Sequence, residues 1–347
     1  MMEDHSGTTK IYVSRARGTD TLCSGFMGKD IAKKSRRSKK GKAVQLLEYA
    51  AVSVVLPVVH LIPLKGIHLL GNFLGDFLYL LFPGRRRLAL ENVRHALGKE
   101  KTEGEVRAIA RASCRSFFLT CLEIIKFHNF FKADDARETL GRYSESLESL
   151  FQKAKRLHEE SGGCIFVTPH IGNWEFLPHV SSVVGIPLVV VARPLSNAYL
   201  ERFLYGKRTD SGQVIIPKKN ALFMLQKTLQ QGKSIGLLPD QSIRQGIAVN
   251  FFGRRAWTTP APAILSVLYK RPIVVVACCR TKNGYDFEGV VSDPLWPGTF
   301  ESEKAEIFRL TEEMNKQMEI IVKRYPEQYF WVHNRWKRHS KSRELNP

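Results

Sequence analysis

The pattern of apolar and polar positions changes character twice along the chain. Residues 1–42 carry no apolar period. From 43 to 82 apolar residues dominate. The stretch 49-YAAVSVVLPVVHLIPL-64 is uncharged for sixteen residues, and 67-IHLLGNFLGDFLYLLF-82 continues it, with Lys65 and Asp76 the charges between them. The next part is amphipathic. The segment 84-GRRRLALENVRHALG-98 predicts a short helix closed near Gly98. Val106, Ile109, Ala110, Phe117, Phe118, Leu122 and Ile125 recur at three-and-four spacing, which predicts a long helix over 103–131. Residues 135–160 are polar and helical in character. From 164 onward, short continuous apolar runs predict strands at 164–169, 186–194, 213–217, 233–240 and 272–280. Helical stretches at 175–184, 196–210 and 219–231 separate them, and a late helix covers 301–323. Unbroken apolar strands between helices predict an α/β fold, with a central, mostly parallel sheet flanked by helices. No GxGxxG follows the first strand, so the order is not a dinucleotide-binding unit.

The same pattern divides the chain into a disordered basic arm (1–42), a hydrophobic membrane-associated helical segment (43–82), a main domain (83–338) and a basic tail (339–347). The apolar segment is short for a full span, and Pro57 and Pro63 interrupt it. It is expected to cross once or to lie against the membrane as a kinked helical pair; the alternative is a buried helical hairpin. The preceding 33-KKSRRSKKGK-42 holds seven basic residues in ten, which favours the membrane and places this block in the cytoplasm. A single crossing would conflict with a cytoplasmic main domain, whereas an interfacial segment would not. The apolar segment comes too late for a secretory signal. Net charge is +20, which calls for a polyanionic partner: nucleic acid, an anionic bilayer or an acidic small substrate. No recognised nucleic-acid module is present, and the charge clusters beside the apolar segment, so nucleic acid is not expected. The six cysteines form no CxxC pair and fit neither a zinc site nor a disulfide scaffold.

Candidate chemistry sits in 164-CIFVTPHIGNWE-175. His170 falls just past a predicted strand end, where open α/β sheets build their sites. Gly172 permits tight backbone geometry, and Asn173 caps a helix beginning near Trp174. Across this turn Glu175 can reach His170, fix one ring tautomer and raise the basicity of the other nitrogen, which could then deprotonate a substrate hydroxyl. With no G-x-S-x-G elbow, direct transfer to a bound alcohol is the simpler chemistry. A lone H-x4-E is also what an ordinary loop histidine and a helix-start carboxylate would give, and its spacing is not that of HExxH metal sites. Asp240 either orients a basic residue or an acceptor sugar, or merely closes a turn after 237-LLP-239. His333 is as readily structural as catalytic.

Several blocks in order give this junction a context: 83-PGRRRLALENVRHALG-98, 169-PHIGNWE-175, 192-ARPLSN-197, 237-LLPDQ-241, 251-FFGRRAWTTPAPA-263 and 331-WVHNRWK-337. Through them the chain resembles the bacterial lipid A biosynthesis acyltransferases over about residues 43–338. The resemblance implies transfer of a fatty acyl chain from an acyl carrier protein thioester to a hydroxyl of a phosphorylated glucosamine-disaccharide lipid, at the cytoplasmic face of the inner membrane, with no metal or redox cofactor. It maps the catalytic pair onto His170 and Glu175, and substrate-binding roles onto Arg193, Arg208, Asp240 and Gln241; an anionic acceptor would also want basic clamps, which Arg193, Arg208, Arg254 and Arg255 could provide. Many relatives carry an acidic residue after the glutamine, where this chain has Ser242. Phe176, Leu177, Phe251, Phe252 and Trp257 are candidates for an acyl groove. The competing readings are an acyl-CoA-dependent glycerolipid or glycolipid acyltransferase and a non-catalytic lipid-binding scaffold.

Overall fold

Proline sets the first break in the structure. Ile62 precedes Pro63 and is extended (φ −67°, ψ 127°), as a residue before proline prefers, so the apolar segment forms two helices, α1 (Lys42–Leu61) and α2 (Leu64–Leu81). The computed structural model describes residues 41–127, 145–192, 197, 199–200, 214–217 and 221–337. The basic arm, the C-terminal tail, Arg193 and Arg208 fall outside them. α1 is not a buried hairpin arm. Its Val44, Leu46, Leu47, Val54, Val55, Val58 and Leu61 are exposed, and Leu56 and Val59 are its buried positions. It is long and apolar enough to cross a membrane. α2 is two-sided: Ile67, Gly71 and Gly75 are buried at four-residue spacing, while Leu69, Phe73, Phe77, Leu80 and Leu81 are exposed. The glycines let α2 approach α4 (Glu103–Phe127) closely; a Cβ at Gly75 would lie 2.4 Å from the Arg115 Cα. Asp76 fixes the register by accepting paired hydrogen bonds from Arg111 and Arg115 at 2.6–2.7 Å. Those four bonds hold its carboxyl far below the usual carboxylate range.

α3 (Pro83–Leu97) and α5 (Glu145–Ser161) complete the helical part. The sheet follows in the order β3-β2-β4-β1-β7-β8, with β1 (Ile165–Val167), β2 (Leu188–Ala192), β3 (Val214–Pro217), β4 (Ser234–Leu237), β7 (Ile273–Arg280) and β8 (Phe287–Val291). Pairings are parallel except β7 with β8, so the expected mostly parallel α/β sheet is present, with an antiparallel edge. Alternation of side chains splits its two faces. Ile165, Val167, Ile235, Val275 and Ala277 face the larger core, closed by α8 (Ala261–Tyr269) and α9 (Glu303–Arg324). Cys164, Phe166, Val274, Val276 and Cys278 face a second core under α5 and α6 (Phe176–Val183). α7 (Ala221–Gln230) links β3 to β4.

Besides α8 and β8, two further features go beyond the expected elements. A hairpin, β5 (Ile247–Phe251) with β6 (Arg254–Thr258), forms a separate two-stranded sheet. Phe252 and Gly253 at its turn both have positive φ. After α9, residues 326–336 run back over the carboxyl ends of the strands. Ile171 bridges to Tyr329, and Phe330 N–H donates to the His170 carbonyl.

Candidate active site

The site is assembled by strand register. β1 and β4 are adjacent and parallel, with Ile165 opposite Ile235 and Val167 opposite Leu237, an offset of 70 residues (235 − 165 = 237 − 167). His170 and Asp240 keep that offset, each three residues past its strand, and so meet at the carboxyl edge. The His170 backbone N–H donates to Asp240 Oδ2 at 2.8 Å, and ring Nδ1 donates to Asp240 Oδ1 at 2.6 Å. Both carboxylate oxygens therefore grip one residue, fixing the ring and its tautomer. The carboxylate on Nδ1 is thus Asp240, whereas the sequence pointed to Glu175. Glu175 sits half-buried at the start of α6 and adds a smaller electrostatic contribution. A five-residue gap brings its charge near the ring, but the register delivers Asp240 in line with it.

Burial opposes protonation of His170, but the charge and hydrogen bond of Asp240, with Glu175 behind them, outweigh it and hold the imidazole pKa above its ordinary value. Asp240, although buried, is held below its ordinary value by the same pairing. Buried Arg335 adds positive charge that helps lower Asp240, and burial beside Asp240 pushes the Tyr329 hydroxyl well above its ordinary value. His170 Nε2 meets the Gln241 side-chain amide at 3.2 Å. Gln241 therefore covers the ring nitrogen that Asp240 leaves free. Trp174 and Phe330 flank the ring, with centroids at 5.3 and 6.2 Å.

The loop that carries His170 is held from below. Gly172 has φ 56°, and a Cβ there would lie 2.1 Å from the Cys278 carbonyl oxygen, so no other residue fits. Its own carbonyl accepts from Thr120 Oγ1 at 2.6 Å. Asn173 Oδ1 accepts from Phe176 N–H in the turn before α6, whose N-cap is Glu175 and not Asn173 as expected, while its Nδ2 donates to Glu123 at 2.9 Å. Glu123 is buried and paired with Arg280 at the end of β7, whose guanidinium also reaches Ser116 and Thr120. Glu123, Thr120 and Arg280 escaped the sequence reading. The signal available was a lone glutamate within the apolar stripe of 117-FFLTCLEIIKF-127. His333 Nε2 accepts from Ser242 N–H at 3.1 Å, steadying the turn after Asp240. Burial pushes its pKa down, which suits an acceptor role.

Trp174, whose ring flanks His170, also lines an apolar pocket of about 60 Å³ that His170 itself does not line. The second sheet face supplies Phe166, Leu188, Val190, Gly236 and Val276. α5 supplies Leu150, Phe151 and Ala154, and Trp174, Leu177, Pro178 and Ser181 close it. Of the five aromatic and aliphatic residues proposed for a groove, Leu177 lines this pocket. Phe176 stacks on Phe287 in the second core, and Phe251 and Phe252 belong to the larger core around Trp331 and Trp336. Arg254 is exposed at the start of β6, and its charge, after burial, helps depress the His95 pKa. Among the described residues no group of three His, Cys, Asp or Glu side chains is arranged to hold a metal ion.

The site is thus an imidazole held by a buried carboxylate at the carboxyl edge of a parallel sheet, with Trp174 between it and an apolar recess. The sequence model of the bacterial lipid A biosynthesis acyltransferases matches residues 37–338, and the chain belongs to that family. It is similar to the lipid A biosynthesis palmitoleoyltransferase of Escherichia coli (strain K12), 23% identical over 279 residues that cover 80% of this chain and 86% of that protein. The lipid A biosynthesis acyltransferase of Shigella flexneri matches to the same extent. The protein is therefore an acyltransferase of lipid A biosynthesis, associated with membranes.

Proposed function

We propose that this enzyme moves a fatty acyl chain from an acyl carrier protein thioester to a hydroxyl of a phosphorylated glucosamine-disaccharide lipid, with His170 as general base. The observation that carries this reading is the 2.6 Å contact between His170 Nδ1 and buried Asp240. It leaves Nε2 as the basic nitrogen, and the apolar pocket behind Trp174 is assigned to the acyl chain. The acceptor hydroxyl displaces the Gln241 amide and gives its proton to Nε2. The oxygen attacks the thioester carbonyl, the C–S bond breaks, and the imidazolium returns the proton to the leaving thiolate. Asp240 and, more weakly, Glu175 stabilise the imidazolium as it forms. Arg193, Arg208 and Arg254 are proposed as clamps for the acceptor's phosphates. The main domain, 83–338, would work at the cytoplasmic face of the inner membrane, with 1–42 as a basic arm and 339–347 as a tail.

Mass spectrometry tests this reading. A purified acceptor lipid is incubated with acyl carrier protein thioesters of graded length, palmitoleoyl included because a relative bears that name. Wild type should add one acyl mass, and His170→Ala should lose that activity by roughly 10³-fold or more. Equal addition by both would remove His170 from the chemistry. Addition from acyl-CoA alone would replace the proposed donor.

A further inference from the structure

We infer that α1 and α2 form an in-plane platform seated on one leaflet of an anionic bilayer, and that α1, despite its length, does not cross it. α1 has 20 residues, about 30 Å at 1.5 Å per residue, enough for a span. Yet both of its ends are fastened to the body of the enzyme. Near its start, Asn197, which follows β2, donates to the Gln45 carbonyl at 2.8 Å and to Glu48 Oε2 at 3.0 Å, and Tyr199 lies against Tyr49. At its end, Lys126 of α4 donates to the His60 and Ile62 carbonyls at 2.6 and 2.9 Å. A helix held at both ends along one surface cannot cross unless that surface is immersed with it, and here the surface carries Glu48, Asn197 and Lys126, which are costly in hydrocarbon.

α2 is bound in the same way. Its glycine face lies on α4 and its Asp76 on Arg111 and Arg115. Val59, Ile67 and Leu122 join α1, α2 and α4 in one small core. What remains outward is apolar: the α1 residues named above and the Leu69, Phe73, Phe77, Leu80, Leu81 and Phe82 row. Exposed Lys65 lies at the turn between the helices, and exposed Arg85 and Arg87 lie just past the row. An apolar face edged with cations fits an anionic leaflet. The platform also leads to the site. Arg85 donates to the Val332 carbonyl at 3.1 Å, next to His333, which steadies the turn after Asp240. A lipid acceptor in the leaflet would then reach His170 laterally, without leaving the membrane.

Sidedness tests the inference. Single cysteines replace exposed Gly41, Lys65 and Glu301 in the full chain, and a membrane-impermeant thiol reagent is applied to spheroplasts and to inverted membrane vesicles, with labelling scored above the parent. Glu301→Cys reports the body, so the comparison holds whichever side the body occupies. The platform predicts that all three label from the same side. Gly41→Cys or Lys65→Cys labelling from the side opposite Glu301→Cys would overturn it. In a second arm, Phe73→Ser/Phe77→Ser is floated with phosphatidylethanolamine–phosphatidylglycerol vesicles. Binding should weaken roughly tenfold or more, with the circular dichroism melt unchanged because both side chains are exposed. Undiminished flotation would exclude the α2 face from the contact.

Discussion

At the residue scale, the decisive fact is which carboxylate touches His170. Spacing along the chain pointed to Glu175, and His170 itself was legible as a polar residue just past an apolar run. Asp240 was visible too, but its role was not, because contact between them depends on β4 lying next to β1, and no local pattern encodes strand order. The assignment has a pH consequence. His170 must be neutral to act as a base, and Asp240 raises its pKa. The wild-type kcat/KM should therefore fall on the acid side with a midpoint above the ordinary histidine value. In Asp240→Asn the lifting charge is gone and burial dominates, so the acid limb moves to lower pH. The rate above both midpoints should also drop, by roughly 10²–10⁴-fold, since the amide no longer fixes the tautomer or stabilises the imidazolium. A pH–rate profile that keeps its acid limb would show that another group sets the basicity.

At the element scale, the five parallel strands and the helices α6 and α7 were readable because continuous apolar runs between helical stretches have few other solutions, whereas α8 was not read and the helix expected over 196–210 falls almost wholly outside the described residues. The β5–β6 hairpin was not read, although Ile247, Val249 and Phe251 alternate inward with period two. Its turn sequence, 252-FGRR-255, stands out as a basic cluster before it stands out as a turn. β8 was missed for a related reason: Phe287 is its buried residue, and the other four are partly exposed, so an edge strand leaves little apolar signal. The β4 strand also carries a measurable choice. Gly236 faces the pocket between Leu188 and Val190, and a Cβ there would lie 3.0 Å from Val190 Cγ1 and 3.5 Å from a Leu188 methyl. Gly236→Ala should narrow the pocket. In competition between thioesters, the longer donors should lose about tenfold in kcat/KM relative to the shorter ones. An unchanged ratio would mean that the acyl chain lies elsewhere.

At the scale of the whole molecule, residues 326–336 tie distant parts together. Asn92 of α3 donates to the carbonyls of Trp331 and His333 at 2.7 and 2.8 Å. Arg335 reaches the Trp257 carbonyl and Thr258 of the hairpin, and Trp336 reaches the Phe251 carbonyl. Asn92→Ala leaves two carbonyls short of a donor. It should cost about 2 kcal/mol in urea unfolding and lower activity at permissive temperature by loosening the turn that follows Asp240. A variant as stable and as active as wild type would show that this clasp is dispensable. The shared offset of β1 and β4 has a consequence for sequence drift. Because neighbouring strands, and not the intervening chain, bring His170 to Asp240, the pairing depends on the register of β1 with β4 and on the count of residues after each strand. One residue inserted between Val167 and His170, or between Leu237 and Asp240, would turn the side chain to the opposite sheet face. Descendants of this enzyme should therefore keep the count of residues in these two turns.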